Sequence, residues 1–164
     1  MKYKILWMLP TLLLIGCDGE SHKQSTQMYP GMSNASKPAA NTVTRRANFS
    51  TVQQGFKLYR ANCASCHGDQ GQGDPNWRQA GPDGKYPASP LNGTGHAWHH
   101  PMPVLVSTIK NGTQRIGGNM PAWKDKLTDT EIHAIIAWFQ SRWPDKLYQA
   151  WARTNRDAAQ SSRK

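Results

Sequence analysis

The chain has 164 residues, of which 37% are hydrophobic, and its formal net charge is +10 at neutral pH. This length accommodates one small domain with flanking segments. A basic surface favours acidic protein partners and anionic lipid headgroups, mainly because it accelerates encounters. Nucleic acid is the other common partner of basic proteins, but the sequence lacks the interleaved aromatic and basic residues of a strand-binding groove. We therefore predict no nucleic-acid partner.

Residues 1–17 have the features of a lipoprotein signal peptide. Two early lysines precede an apolar run over residues 5–15, which ends in the tetrapeptide Leu-Ile-Gly-Cys. This tetrapeptide resembles a bacterial lipobox, which implies that Cys17 is lipidated and becomes the first mature residue. Ordinary signal-peptidase cleavage nearby is the alternative. A membrane-spanning helix is the weaker interpretation, because the run is too short for a hydrocarbon core of about 30 Å.

Residues 18–48 predict a flexible tether. Polar residues, proline, glycine and lysine dominate this segment, and it shows no apolar period of either kind. As a flexible coil its 31 residues would span roughly 30 Å root mean square. Such a tether would keep a domain near a membrane while it moves between partners.

The next segment predicts a helix that begins at Ser50 or Thr51 as its N-cap. Its apolar positions recur at helical spacing and are Val52, Phe56, Tyr59 and Cys63. Gly55 interrupts this helix at a cost of about 1 kcal/mol relative to alanine, which suggests the close approach of another helix.

The helix leads into Cys-x-x-Cys-His at residues 63–67, the attachment signature of c-type haem. Two thiols one helical turn apart can add to the two vinyl groups of one haem, and His67 then lies under the iron as proximal ligand. Half a zinc site or a thioredoxin-like dithiol are the alternatives. A zinc site would need two more ligands at a similar spacing, and no further cysteine remains for it. The dithiol would need a βαβ pattern that the sequence does not show. With Cys17 assigned to the anchor, we expect no disulfide.

Gly55-Phe56-x-x-Tyr59 followed by Asn-Cys-Ala-Ser-Cys-His-Gly at 62–68 resembles the N-terminal helix of class I c-type cytochromes. The similarity extends from about residue 51 to residue 143. It implies an all-α cytochrome c fold, with about three main helices and long loops wrapped around one covalently bound haem c. We therefore place the cytochrome c domain at residues 49–144.

Residues 69–95 predict a long loop, rich in Gly, Pro, Asp and Asn, that a haem edge could organise. Within it Pro90-Leu91-x-Gly93 resembles the family segment whose proline carbonyl accepts a hydrogen bond from the proximal histidine. The resemblance implies that Pro90 accepts from Nδ1–H of His67 and leaves Nε2 for iron. It also places Leu91 among the cofactor-binding residues. Two other prolines of the loop are rivals of Pro90.

Residues 96–102 gather three imidazoles and a thioether, from His96, His99, His100 and Met102. They could form a copper site or offer an alternative axial ligand. The other interpretation is that they line the haem crevice and lead into the next helix, because no carboxylate accompanies them. That helix is expected from about Pro103 to Lys110 and ends at Asn111-Gly112.

Gly-Gly-Asn-Met-Pro at residues 117–121 resembles the distal-ligand segment of the family, which implies that Met120 is the second axial ligand of the iron. A soft thioether favours ferrous iron and raises the potential relative to bis-histidine ligation. An ordinary core role for Met120 is the alternative, and Met102 is its nearest rival. The resemblance also implies that Trp123 packs beside the haem edge; plain core burial is the other interpretation.

The last helix of the predicted domain begins with a capping box from Thr128 to Glu131. Its apolar stripe, at helical spacing, is Ile132, Ile135, Ile136 and Phe139. Trp138 is placed to cross Gly55 of the first helix, and His133 is expected at the surface. Residues 145–164 are predicted as a basic appendage with a helical turn or two.

Ligation by His67 and Met120 would fill both axial positions, so we predict an electron carrier rather than an enzyme, alone or as the haem subunit of a larger oxidoreductase. The expected partners are redox proteins with acidic docking surfaces, such as a terminal oxidase or dehydrogenase, and a membrane bound through the lipid anchor. The protein is expected to be bacterial, exported and facing the periplasm. The alternatives are a haem protein that binds a small ligand or peroxide, and a copper-handling protein that uses the 96–102 cluster.

Overall fold

The computed structural model describes Arg45 and residues 47–163, so the predicted signal peptide, Cys17 and most of the predicted tether lie outside the described residues. The described part contains the helices α1 (Phe49–Asn62), α2 (Ala64–His67), α3 (Met102–Asn111), α4 (Asp129–Ser141) and α5 (Asp145–Ser161). Within these ranges there is no strand, only an isolated bridge between Tyr86 and Gly118. The predicted all-α fold is confirmed. No helix among the residues described is long and apolar enough to cross a membrane.

Helix α1 begins two or three residues earlier than predicted, because its N-cap is Asn48 and not Ser50 or Thr51. The Asn48 side-chain oxygen accepts a hydrogen bond from the backbone N–H of Thr51 at 2.8 Å, and asparagine caps as well as serine. Tyr59 is fully buried, as the apolar pattern predicts. Phe56 is not: 39% of it is exposed, and its ring centroid lies 5.8 Å from that of Trp138.

Helices α1 and α4 cross at Gly55, as the sequence predicts. A Cβ added to Gly55 would lie 1.9 Å from the carbonyl oxygen of Ala134 and 3.0 Å from the Cβ of Trp138. The Trp138 ring then packs on Tyr59 with ring centroids 3.9 Å apart. Only a residue without a side chain allows this approach, which brings α1 onto the hydrophobic core.

The predicted capping box of α4 is confirmed. The N–H of Thr128 donates to the Glu131 carboxylate at 2.8 Å, and the N–H of Glu131 donates to Oγ1 of Thr128 at 3.3 Å. His133 is exposed, as predicted. The predicted stripe of α4 is buried and comprises Ile132, Ile135, Ile136 and Phe139.

Residues 145–164 are not the appendage that the sequence suggests. Most of them form α5, a helix of 17 residues that buries Tyr148 and Trp151 in the same core as α4. The indole N–H of Trp151 donates to the carbonyl of His100 at 3.0 Å. On the neighbouring turn, Asn155 accepts the N–H of Met102 at 2.8 Å and so caps α3 from α5. Residues on both sides of the predicted domain boundary at residue 144 therefore belong to the same hydrophobic core.

Arg45 fixes the end of the predicted tether to the corner between α4 and α5. Its guanidinium donates to the carbonyl oxygens of Gln140 and Trp143. It also pairs with Asp145 at 3.0 Å and lies over the Tyr148 ring, 4.4 Å from the centroid. The chain is thus held to the domain three residues before the predicted end of the tether.

Candidate haem site

The motif at residues 63–67 folds into a single helical turn at the end of α1. The backbone N–H groups of Cys66 and His67 donate to the carbonyl of Cys63 at 3.1 and 2.9 Å. Both cysteines are free thiols, with Cys63 half-buried and Cys66 exposed. The hydroxyl of Tyr59 donates to the Gly68 carbonyl at 2.6 Å, which ties the turn to α1. The two thiols therefore lie on one helical turn, which is the spacing that attachment to a single haem requires.

The raised pKa of the Cys63 thiol argues against a redox dithiol. Burial raises the pKa of Cys63 to about 11, and the neighbouring charge of Cys66 adds to the increase. Reactive cysteines of Cys-x-x-Cys oxidoreductases have lowered pKa values, because the thiolate is the attacking species. Cys63 therefore lacks the environment of a thioredoxin-like nucleophile.

His67 is held by the carbonyl of Ser89 rather than by that of Pro90. Its Nδ1 lies 2.8 Å from the Ser89 oxygen. A carbonyl can only accept, so Nδ1 carries the proton and Nε2 keeps its lone pair for a metal. Burial lowers the pKa of His67, although the hydrogen bond to Ser89 opposes that shift. The imidazole is therefore held neutral with one nitrogen free, the form that ligates iron.

The prediction of Pro90 as the hydrogen-bond partner is wrong by one residue. The carbonyl of Pro90 packs on Gly95, where an added Cβ would lie 2.3 Å from the oxygen. The Pro90 carbonyl is thus occupied by a close backbone contact, and the preceding carbonyl reaches the imidazole instead. Pro90 itself is buried beside the bond that it was expected to make.

Two glycines position the Ser89 carbonyl. Gly73 donates its N–H to the carbonyl of His67 at 2.8 Å and has φ +66°. A Cβ on Gly73 would lie 2.5 Å from the nitrogen of Pro90 and 2.7 Å from the carbonyl carbon of Ser89. The carbonyl of Gly71 accepts the N–H groups of residues 91 and 92 at 2.7 and 3.0 Å. The sequence analysis did not predict these roles of Ser89 and Gly73. Gly71 and Gly73, two positions apart soon after His67, do indicate a close approach of the backbone.

Leu91 connects this loop to the helical core. Its carbonyl accepts the indole N–H of Trp143 at 2.8 Å, and its side chain packs against the core. The loop segment that holds His67 is therefore tied to the end of α4. A direct contact of Leu91 with the cofactor stays a prediction.

Met120 lies on a loop that is fixed against the end of α3. Its carbonyl accepts the N–H of Thr113 at 2.9 Å, and its own N–H donates to Oγ1 of Thr113 at 3.2 Å. Gly112, with φ +68°, allows this approach, since a Cβ there would lie 2.5 Å from the Met120 oxygen. Ligation of iron by the Met120 sulfur stays a prediction. Trp123 is half-buried against the core, and its place at the haem edge likewise stays a prediction.

Met102 lies in a different environment. Its side chain lines an open pocket of about 550 Å³ between α3, α4 and α5, together with His133 of α4 and Asn155 of α5. This position at the α3–α5 contact gives Met102 a packing role, which weakens it as a rival of Met120.

The three histidines of the 96–102 cluster are used in ring contacts. His96 stacks on Trp77 with centroids 5.3 Å apart, and it meets His100 edge-on at 5.4 Å. His99 stacks on Trp98 at 3.6 Å. In the described part of the chain, no group of three or more His, Cys, Asp or Glu side chains could hold a metal ion. The hypothesis of a copper site at this cluster therefore gains no support.

Comparison with known proteins found a matching family model and related proteins. Residues 50–139 match the family model described as cytochrome c oxidase, cbb3-type, subunit III. The Cbb3-type cytochrome c oxidase subunit CcoP of Azospirillum sp. (strain B510) is 35% identical over 94 residues, which cover 57% of this chain and 29% of that protein. The Cbb3-type cytochrome c oxidase subunit FixP of Bradyrhizobium sp. (strain ORS 278) is 31% identical over 142 residues, which cover 80% of this chain and 45% of that protein. The chain thus spans less than half the length of these relatives. No solved structure matched the chain significantly.

Proposed function

Because the chain belongs to the family of cytochrome c oxidase, cbb3-type, subunit III, we propose that it is an electron carrier with one haem c, tethered to a membrane and facing the periplasm. The observation that carries this proposal is the bond between Nδ1–H of His67 and the Ser89 carbonyl at 2.8 Å. It fixes the imidazole on the turn that carries both thiols and leaves Nε2 as an iron ligand. The residues present therefore fit a covalently attached haem.

In this proposal Cys63 and Cys66 hold the haem through two thioethers, and His67 and Met120 are its axial ligands. The haem supplies an iron that changes between the ferrous and ferric states. The protein contributes the geometry: α1 and Gly68 fix the turn, Ser89 fixes the imidazole, and Thr113 fixes the backbone of residue 120. With both axial positions filled, no position would remain for a substrate, which is why we propose a carrier.

The relatives are described as oxidase subunits, and we propose a terminal oxidase with an acidic docking surface as the redox partner. The net charge supports this choice: without the two lysines of the predicted signal peptide the side chains still carry +8, from +10 for the whole chain. Complementary charge mainly raises the rate of encounter. The partner interaction should therefore weaken as ionic strength rises.

The test of this function uses the purified, haem-loaded protein. Acid-acetone extraction should leave the haem with the chain, and the pyridine haemochrome should be of the two-thioether type. Carbon monoxide should leave the spectrum of the reduced protein unchanged, because both axial positions are filled. Extractable haem would refute covalent attachment, and a carbon monoxide shift would favour a ligand-binding protein instead.

The membrane anchor has a separate test. Cys17→Ala should move the protein from the membrane fraction to the soluble periplasmic fraction while the haem stays attached. The matched control is Cys66→Ala, which should remove one thioether and leave fractionation unchanged. If the wild type and Cys17→Ala fractionate alike, the lipid anchor is refuted and the carrier function is untouched.

A further inference from the structure

One face of α1 is largely exposed, although its Phe56 ring also lies 5.8 Å, centroid to centroid, from the buried ring of Trp138. Phe49 is 77% exposed and Phe56 is 39% exposed, which makes them two of the largest apolar side chains at the described surface. Gln53, Lys57 and Arg60 are also exposed. At 100° per residue these five positions share one side of the helix, opposite to the buried Gly55 and Tyr59. We name this set, Phe49, Gln53, Phe56, Lys57 and Arg60, the α1 face.

The charge of the α1 face has one sign. Helix α1 contains no acidic residue, and Lys57 and Arg60 are its cations. The Arg60 guanidinium lies 5.9 Å from the Phe56 ring centroid and 3.6 Å from Asp69. Both members of that ion pair are exposed, so water screens it and the guanidinium can still meet an anion. Phenylalanine beside lysine and arginine is the composition of helices that lie in an anionic lipid interface.

The position of the α1 face along the chain indicates that a membrane is the surface it contacts. Phe49 follows the predicted anchor, Cys17, by 32 positions, and it is the first helical residue after the predicted tether. Arg45 holds the preceding chain to the α4–α5 corner. The α4–α5 corner held by Arg45 and the start of α1 are therefore the parts of the helical domain that lie nearest to the anchor along the chain.

We propose that the α1 face is the surface by which the domain rests on an anionic lipid bilayer. This inference rests on the membrane location proposed above, although not on the lipid anchor itself, and adds an orientation to it. Phe49 and Phe56 enter the headgroup region, and Lys57 and Arg60 meet lipid phosphates. Because α1 ends at the haem-attachment turn, docking of the helix fixes the height of that turn above the bilayer.

The probe is a cysteine at Gln53, in the middle of the α1 face, in the haem-loaded chain as the cell exports it. A hydrophilic maleimide is added to protein in detergent, on phosphatidylcholine vesicles, and on vesicles with three parts in ten phosphatidylglycerol. Each basic residue at an anionic surface changes binding about five-fold, so Lys57 and Arg60 together predict labelling roughly 25-fold slower on the anionic vesicles than on the neutral ones. Salt at 0.5 M should remove this protection. Arg156→Cys, on the exposed side of α5, is the control position and should label equally in all three.

A matched pair of double variants tests the contribution of the face. Phe49→Glu with Lys57→Glu removes one exposed apolar residue and reverses one cation of the α1 face. Ile116→Glu with Arg115→Glu makes the same change at another exposed site, where Ile116 is 81% exposed. All four side chains are at the surface, so neither variant should disturb folding. The first pair should restore fast labelling at position 53, and the second should not.

The outcomes are distinct. Protection on anionic vesicles alone, relieved by salt and by the first pair, supports the proposal. Equal labelling in all media overturns it, even if the protein floats with neutral vesicles, in which case the anchor stands by itself. Protection in detergent that rises with protein concentration assigns the face to a second copy of the chain and also overturns it. Protection on anionic vesicles without flotation on neutral ones supports the α1 face and refutes the anchor.

Discussion

Replacing Gly73 with alanine tests whether the loop holds His67 through the Ser89 carbonyl. The added Cβ would lie 2.5 Å from the nitrogen of Pro90 and 2.7 Å from the carbonyl carbon of Ser89. Restoring ordinary van der Waals contact requires the segment to move by about 0.8 Å. A displacement of that size would lengthen the 2.8 Å bond from Nδ1 of His67 beyond hydrogen-bonding distance.

The matched control is Gly84→Ala. Gly84 has φ +74°, close to the +66° of Gly73, but an added Cβ there meets nothing within 4 Å. Alanine in this left-handed conformation costs about 1–2 kcal/mol in either variant. Only Gly73→Ala adds overpacking of about 1–3 kcal/mol and a lost hydrogen bond of about 0.5–1.5 kcal/mol. The free energy of unfolding should therefore fall by about 1.5–4.5 kcal/mol more in Gly73→Ala than in Gly84→Ala.

Two measurements on haem-loaded protein check this reasoning. Thermal unfolding followed by circular dichroism should show the stability difference, at about 4 °C per kcal/mol for a domain of this size. A redox titration should show a higher potential in Gly73→Ala, because an imidazole without an acceptor on Nδ1–H is a weaker donor and stabilises ferric iron less. Gly84→Ala should keep the wild-type potential. Equal stability and equal potential in the two variants would refute the role assigned to Ser89.

Two further predictions concern the axial ligand and the pH dependence of stability. Met120→Ala should abolish the weak red charge-transfer band of the oxidised protein and lower its reduction potential, because the soft sulfur ligand is gone. Met102→Ala, in the α3–α5 pocket, should keep the band and the potential. The reverse result would overturn the assignment of Met120 as the axial ligand. Hydrogen bonds from Thr128 lower the pKa of Glu131. The Glu131 carboxylate therefore stabilises the fold at pH values above its unfolded-state pKa. This contribution is lost as the pH falls through its folded-state pKa. Urea unfolding from pH 6 to pH 3 should therefore show a steeper loss of stability in the wild type than in Glu131→Gln, and identical pH slopes would contradict the capping role.

Local patterns predicted the parts of the structure that depend on local physics. The Cys63–His67 motif needs only one helical turn, and the Thr128–Glu131 box needs only the first turn of α4. Gly55 was a less local signal, but its meaning was clear because a helical glycine has few other uses. The residues of the haem motif and of the capping box lie within a few positions of one another, and the helical glycine allows a single interpretation.

The errors concern choices that distant parts of the chain decide. Whether the carbonyl of Ser89 or that of Pro90 faces the His67 imidazole depends on the backbone orientation of this segment. Gly71 and Gly73, in an earlier part of the loop, contact the segment and fix that orientation. Helix α5 was underestimated because its apolar residues are sparse among charged ones. Its buried residues Tyr148, Trp151 and Ala152 do recur at helical spacing, but the groups that stabilise them, such as the carbonyl that accepts the Trp151 indole, lie in other elements.

Arg45 joins two segments of the chain that the sequence analysis assigned to separate regions outside the domain. The sequence placed a tether before residue 49 and an appendage after residue 144, more than ninety residues apart. In the fold one guanidinium joins them, since it binds carbonyls at the end of α4 and pairs with Asp145 at the start of α5. Any pull from an anchor at Cys17 would therefore reach the α4–α5 corner before it reached α1. Because α1 packs on α4 at Gly55, α1 and this corner would move as one body, and docking of the α1 face would orient the whole helical domain.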